Sequence, residues 1–371
     1  MQIFLSVLSL LLIAREAIAF QQPHSSFVRK THLLAGFGNK SAGMGMGKTA
    51  KKKGGEKKST SNKKKIQLQE KILKEYGGNI AKGTEQRVQK AISELSPSMQ
   101  QTLDLYKKVT KWDAYMDSIK DNVMQQANIP QRDIEGAKRA KAQLEAMLAE
   151  NNIAENDLHN IFQKTTWDAS ADAKAMNAMI GKMPDHTEER VDKACSIIAE
   201  VVKAKGRKFG KCLDCGCGHG SIIPNFINAG IYANQITGID LSTEMIRNAK
   251  SMYRGVEFEA TDFLQYNPEK KFDGIMFCSA LHDLPDMKGS LVKAASLLNE
   301  GGKLVILHAQ GAENVAGQHK ANPVMVKRLL PETEELEELA KELELEVDIK
   351  PAKAGSEQDK NEGYLAVLVR K

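Results

Sequence analysis

From about residue 210 onward, short apolar runs alternate with polar, turn-rich stretches, the pattern expected when strands and helices alternate in a parallel sheet. The first run, around Cys212-Leu213, passes into Asp214-Cys215-Gly216-Cys217-Gly218-His219-Gly220 and then into a helix expected from about Ser221 to Ala229. Gln235 to Asp240 reads as a second strand, Val256 to Ala260 as a third, and Phe272 to Cys278 as a fourth that runs into Ser279-Ala280-Leu281-His282-Asp283. A helix from about Met287 to Asn299 precedes a turn at Glu300-Gly301-Gly302, and Lys303 to His308 reads as strand five. After a helix from about Pro331 to Glu342, Leu345–Ile349 and Tyr364–Val369 read as a closing hairpin.

The preceding region has a different period. Met99, Leu103, Tyr106, Val109, Trp112, Met116, Ile119 and Val123 recur at three- and four-residue steps, which predicts one apolar face of a helix. Ser98 and Gln101, just after Pro97, predict a capping box at its start. Beyond Ile129-Pro130, Ile134, Ala137, Leu144, Met147 and Leu148 form a second stripe, so Thr84 to Phe162 is expected to be a helical hairpin packed on the following domain. Phe162 to Val202 is expected to cap the site.

Strand ends converge on one edge, and the residues there carry the chemistry. Three glycines at alternate positions after a strand let the backbone take unusual dihedrals and approach a ligand, while the next helix offers its first amides to an anionic group. A carboxylate at the end of the second strand, Asp240, is where an acid meets ribose hydroxyls in a doubly wound sheet. The spacing is G-x-G-x-G, lacking the G-x-x-G of a dinucleotide fingerprint, and there is no second mononucleotide half.

With these residues the chain resembles the class I S-adenosylmethionine-dependent methyltransferases over roughly residues 167–371. Asp214 to Gly220 resembles the D-x-G-x-G-x-G loop, Asp262-Phe263 resembles the adenine-flanking pair, and Glu300-Gly301-Gly302 resembles the turn before strand five. The resemblance implies an α/β fold, a doubly wound Rossmann-like seven-stranded sheet with an antiparallel C-terminal edge strand, preceded by an α-helical N-terminal region. It implies S-adenosyl-L-methionine as cofactor, held by Asp214, Gly216, Gly218, Gly220, Asp240, Leu241, Asp262, Phe263 and Cys278. Phe162 and Trp167-Asp168 resemble the F…Y-D entry segment of quinone-biosynthesis methyltransferases, at shorter spacing and with Trp for Tyr.

His282 follows strand four, where the resemblance puts the methyl acceptor, and imidazole titrates near neutrality. It is the candidate general base; the alternative is a residue that shapes the pocket. Cys278 lacks the preceding proline of pyrimidine C5-methyltransferases and is not read as a nucleophile. Cys212-x-x-Cys215-x-Cys217 has no second Cys/His pair at zinc-like spacing, so no metal is expected.

Composition changes the picture at the N-terminus. The net charge of +6 conceals a division: up to Lys65 there are 13 Lys and Arg against two acids, leaving 40 basic against 45 acidic residues in the remainder. An acidic body disfavours a nucleic-acid partner, since phosphate-backbone binding depends on Lys and Arg displacing counterions. Residues 1–19 resemble a secretory signal, with an apolar core from Ile3 to Ile13 too short to span a bilayer and a small-residue end at Ala17-Ile18-Ala19. Residues 20–40 begin with Phe20 and an acid-free, hydroxyl-containing run, resembling the bipartite presequence of plastids enclosed by extra membranes. Residues 41–80 read as a Lys/Gly-rich linker; Ala42 to Thr49 imitates a P-loop but has Ala where the first glycine belongs and no strand before it. Residues 81–165 are then the helical region and 166–371 the methyltransferase-like domain. Five cysteines without a disulfide framework suit a reducing interior, which favours the plastid over the secretory pathway. No transmembrane segment is expected in the mature chain. The leading functional expectation is methylation of a small-molecule acceptor such as a quinone, phenol or lipid. The alternatives are a protein or RNA methyltransferase steered by the helical region and linker, and a cofactor-binding protein without turnover.

Overall fold

Apolar residues at alternate positions give each strand two faces, and both are covered by helices, as a parallel sheet requires. The structure, a computed structural model, describes Lys74, residues 80–180 and residues 185–371. The presequence, the P-loop-like run and nearly all of the Lys/Gly-rich tract lie outside the described residues.

The helical region comprises α1 (Ile80–Ser93), α2 (Pro97–Ser118), α3 (Val123–Ala127), α4 (Gln131–Glu150), α5 (Glu155–Ile180) and α6 (Asp185–Ala204). The sheet domain follows as β1 (Cys212–Cys215), α7 (Ile223–Asn228), β2 (Ile236–Asp240), α8 (Thr243–Met252), β3 (Glu257–Ala260), β4 (Phe272–Cys278), α9 (Met287–Leu297) and β5 (Leu298–His308). It ends with α10 (Ala312–Ala321), α11 (Thr333–Glu342), β6 (Leu345–Ile349), α12 (Glu357–Glu362) and β7 (Tyr364–Arg370). The strand order is β3-β2-β1-β4-β5-β7-β6. β1 to β5 pair parallel, and β7 runs antiparallel within the terminal hairpin, between β5 and the rim strand β6. The order reverses between β1 and β4, which makes that crevice the switch point where doubly wound sheets bind ligands.

Leu213, Ile239, Ile275, Phe277, Leu304 and Ile306 face one side and pack with Leu291 of α9 and Leu336 of α11. Cys212, Ile236, Met276, Val305 and Leu307 face the other, against Ile198 of α6, Phe226 of α7 and Ile246 of α8. A third cluster joins Leu103, Tyr106 and Val109 of α2 to Ala140 and Leu144 of α4, and through Leu158 and Phe162 of α5 to Val324 of the sheet domain. The apolar stripe thus docks the helical region onto the rest of the chain.

Several local expectations are corrected. The cap of α2 is Ser96, whose side chain accepts from Met99 N with Pro97 in the first turn; Ser98 already lies inside the helix. Val123 does not continue the stripe: the helix ends at Ser118, and Val123 is 75% exposed in α3. Glu300-Gly301-Gly302 is not a turn ahead of β5 but an irregularity within it, since the register jumps from Phe272↔Leu298 to Gly274↔Lys303. Gly301 has φ 71°, and a Cβ on Gly302 would meet the Asn299 carbonyl at 2.8 Å, so the segment folds into the strand only because it is glycine. The division between residues 165 and 166 falls inside the continuous helix α5.

Candidate active site

Cys215 of β1 stands opposite Ile239 of β2, so the chain leaving β1 must turn over the end of β2. It does so with Gly216 N and Cys217 N both donating to Ile239 O at 2.9 Å. Gly216, Gly218 and Gly220 have φ of 71°, 54° and 83°, a region that side chains disfavour. Their surroundings differ. A Cβ on Gly216 would lie 2.5 Å from the Ala280 Cβ and one on Gly220 would lie 2.8 Å from the Tyr253 ring, whereas at Gly218 nothing lies within 4 Å. Gly216 and Gly220 are glycines for packing; Gly218 leaves an open face.

Asp240, at the end of β2, accepts from Ser242 N through Oδ1 and from Gly218 N through Oδ2, both at 2.8 Å. A carboxylate has about four lone-pair sites, so about two remain. Burial pushes Asp240 above the ordinary carboxylate value against the pull of these two bonds. Asp214 is 1% exposed, and its Oδ2 has no partner. Burial first, and the neighbouring charge of Asp240 second, push it up to about 8. Leu241 is half-buried beside Asp240.

Asp262 caps the short turn Phe263–Gln265 by accepting from Leu264 N at 3.0 Å. The Phe263 ring turns into the core, edge-on to Phe277 with centroids 5.2 Å apart. Only its backbone is left at the edge, so the ring supplies no apolar wall there. Cys278 at the end of β4 is half-buried, and burial raises its thiol to about 12, which keeps it protonated. The next residue, Ser279, takes φ 53°, strained backbone at the mouth of the site.

His282 is 5% exposed, lies edge-on to His308 at 5.1 Å between centroids, and has no partner at Nδ1. Burial lowers it to about 4, so the expectation of titration near neutrality does not hold for the free site. Its Nε2 is 3.5 Å from Asp283 Oδ1. Asp283 is the group near neutrality: burial raises it to about 7, opposed by Lys174.

Helix α5 crosses this edge. His159 Nε2 contacts Asp283 O at 3.0 Å, and Asn160 Nδ2 donates to Asp262 Oδ2 at 2.8 Å. Asp168 Oδ1 accepts from Ser242 Oγ at 2.6 Å and from Glu244 N at 3.1 Å. Lys174 lies 5.0 Å from the Trp167 ring centroid and lowers the half-buried His219 further than burial alone does. Sequence reasoning missed Asn160, Lys174 and Asp283. The available signal was the buried face of α5, where His159, Gln163, Thr166 and Ser170 recur at helical spacing and are polar.

Residues 207–362 match the family model described as a methyltransferase domain. That stretch, similar to a methyltransferase domain, holds the glycine loop, Asp240, Asp262 and His282. The demethylmenaquinone methyltransferase of Tropheryma whipplei is 31% identical over 25% of this chain and 39% of its own length. The ubiquinone biosynthesis O-methyltransferase of Xanthomonas axonopodis pv. citri is 26% identical over 38% of this chain and 54% of its own. The trans-aconitate 2-methyltransferase of Escherichia coli is 36% identical over 25% of this chain and 36% of its own. The chain therefore spans about a third to a half of the length of these relatives. Among solved structures, the magnesium protoporphyrin IX methyltransferase of Synechocystis with bound SAH aligns over 57% of this chain and 100% of that one, at 16% identity and a TM-score of 0.43.

The loop fits S-adenosylmethionine, the cofactor that the sequence resemblance implies: Gly218 offers an open backbone face, and Asp214 keeps a buried oxygen unpartnered. Among the described residues, no group of three or more His, Cys, Asp or Glu could hold a metal ion, and no helix is long and apolar enough to cross a membrane.

Proposed function

We propose that this protein is a methyltransferase that uses S-adenosylmethionine to methylate a small-molecule acceptor, a quinone, phenol, lipid or similar compound. The observation that carries this reading is the pair of aspartates at the glycine loop, one with an unpartnered oxygen and one with spare lone pairs, beside the open face of Gly218. When bound, the cofactor supplies a methyl group on a positively charged sulfur. Asp240 accepts from the ribose hydroxyls with the lone pairs that Ser242 N and Gly218 N leave. Asp214 faces the methionyl ammonium, and Lys174, which α5 brings near His219, balances the methionyl carboxylate. Asp262 and the backbone of Phe263 flank the adenine, while Leu241 and Cys278 line the same edge.

At the β4 end, His282 presents an unpartnered Nδ1 in a water-poor enclosure, suited to take a proton from an acceptor hydroxyl. Asp283, on the far side of the ring, stabilises the resulting imidazolium. The names of the relatives, which refer to demethylmenaquinone, ubiquinone biosynthesis and trans-aconitate, support a small acceptor. We also propose the plastid as its compartment, on the serial signal-like and acid-free segments and on five cysteines that are all free thiols.

The test is incubation of the full chain with methyl-labelled cofactor and fractionated plastid extract, with label expected in a low-molecular-mass fraction. Label confined to protein or RNA overturns the acceptor class. Tight cofactor binding without transfer to any fraction overturns the activity. Secretion of a fluorescent fusion of residues 1–40 overturns the compartment.

A further inference from the structure

The loops that carry Asp240 and Asp262 belong to different strands, yet one helix holds both. Asp168 ties α5 to the Asp240 loop through Ser242 Oγ and Glu244 N, and Lys164 Nζ reinforces the tie by bonding Asp168 Oδ2 at 2.6 Å and Thr243 Oγ1 at 2.8 Å. Eight residues earlier, about 12 Å along the axis, Asn160 donates to Asp262 across 102 residues of sequence. The second contact is unlike the first. The Asp168 contacts satisfy a helix N-terminus, where Ser242 caps α8 by accepting from Met245 N, and need no ligand to explain them. Asp262 already has its local cap, with Leu264 N on Oδ1, so the turn does not need Asn160.

A carboxylate only accepts, so the Asn160 amide must present Nδ2 to it. That leaves a second Nδ2 hydrogen and the carbonyl oxygen on a half-buried amide next to Asp262, and the two stand side by side when the hydrogen anti to the carbonyl is the one given to Asp262. An amide with one donor and one acceptor on the same edge is the group that pairs with adenine at N7 and the 6-amino group. A hypoxanthine ring carries an acceptor at position 6 and cannot make that pair.

We propose that Asn160 is a specificity-determining residue of the cofactor site: it holds Asp262 through one N–H and reads the adenine edge with the rest of its amide, so that α5 is part of the nucleoside pocket. This rests on the reading of Asp262 as the adenine-flanking acid. Two acceptors, the Asp262 carboxylate and the Asn160 carbonyl, then demand a donor at position 6.

The experiment compares S-adenosylhomocysteine with S-inosylhomocysteine, its 6-oxo analogue, by calorimetry on the full chain, wild type and Asn160→Leu, which keeps the branched side-chain shape without its polar atoms. Asn160→Leu is expected to weaken S-adenosylhomocysteine about tenfold, the effect of one lost hydrogen bond, while changing S-inosylhomocysteine less than about twofold, so the discrimination falls. Asp168→Asn serves as the comparison and is expected to weaken both ligands alike, because it acts on the ribose-side loop. Parallel loss of both ligands in Asn160→Leu, or no loss of either, overturns the role of Asn160 while leaving the cofactor reading intact. A wild-type protein that binds neither ligand overturns the cofactor reading and this inference together. A melting temperature for Asn160→Leu near the wild-type value, with the discrimination reduced, separates recognition from folding.

Discussion

At the amino edge of the sheet Asp273 is 2% exposed, with Oδ2 accepting from Lys211 N and Oδ1 from Asn299 Nδ2, both at 2.9 Å; near the carboxyl edge Asp214 is 1% exposed and its Oδ2 accepts from nothing. The two residues share type and depth and differ in what they have left to give. Asp273 braces Lys211, just ahead of β1, and Asn299 of β5, whereas a carboxylate with a buried oxygen unpartnered keeps capacity for a ligand at the expense of stability. A cleft of about 500 Å³ opens at the amino edge, lined by Lys205, Phe209, Lys271, Asp273, Asn299 and Arg370. Its buried carboxylate already bonds through both oxygens, whereas Asp214 at the glycine loop has one oxygen with no partner.

The largest expected effect tests whether reserved capacity also runs the β4 end. Asp283→Asn should lower turnover by roughly 10²–10⁴, the range for lost positioned proton transfer. In wild type the rate should rise with pH through about 7, because Asp283 is neutral below that value and supports an imidazolium only when ionised. The limb should vanish in Asp283→Asn, and in His282→Ala turnover should fall and the limb should go with it, since no imidazolium is then left for Asp283 to support. A pH–rate profile in which the limb survives Asp283→Asn would remove Asp283 from the chemistry.

Strands and acids at this edge were legible because their signals are local. Phe272–Cys278 follows from a short apolar run and Leu345–Ile349 from alternation, and the residue span of each agrees with the structure. The loop glycines were legible because positive φ is a property of single residues. What escaped depends on tertiary contact. Asn160 meets Asp262 across 102 residues and His159 meets Asp283 across 124, distances at which no spacing rule operates. A boundary at 165/166 follows a change in apolar pattern, but α5 runs through it because its buried face exchanges apolar for polar residues where it passes from the helical core to the site. His282 was legible as a position and not as a base, since its titration is set by enclosure that the sequence does not display.

The next effect falls on Asp214. Asp214→Asn keeps the shape and the neutral state, so it should fold normally while weakening S-adenosylmethionine by about 1–3 kcal/mol, the scale for charged hydrogen bonds. The pH dependence has a definite sign. Folding raises this group from 3.8 to about 8, so its contribution to stability is full below pH 4 and is lost as pH rises through 8. A cationic ligand favours the ionised form, so wild-type affinity should climb with pH towards 8 and level off above it, while the variant stays flat over the same range. Calorimetry at several pH values decides this, and a variant that tracks wild type would reassign the ammonium contact.

The smallest effect belongs to Asp273, and its smallness is the point. In Asp273→Asn the amide oxygen can keep the bond from Lys211 N, and a flip of the Asn299 amide lets its oxygen accept from the introduced NH₂ group, so both partners stay satisfied. The change then exchanges a charged acceptor for a neutral one and should cost about 1 kcal/mol or less, a shift of roughly 2–4 °C in melting temperature for a domain of this size. Cofactor affinity should remain within about twofold of wild type, because no ligand draws on this carboxylate. If Asp273→Asn instead depressed cofactor affinity as much as Asp214→Asn, the state of hydrogen bonding would not distinguish brace from site. A melting curve and a cofactor titration on the same two variants therefore test the comparison at both ends of the sheet.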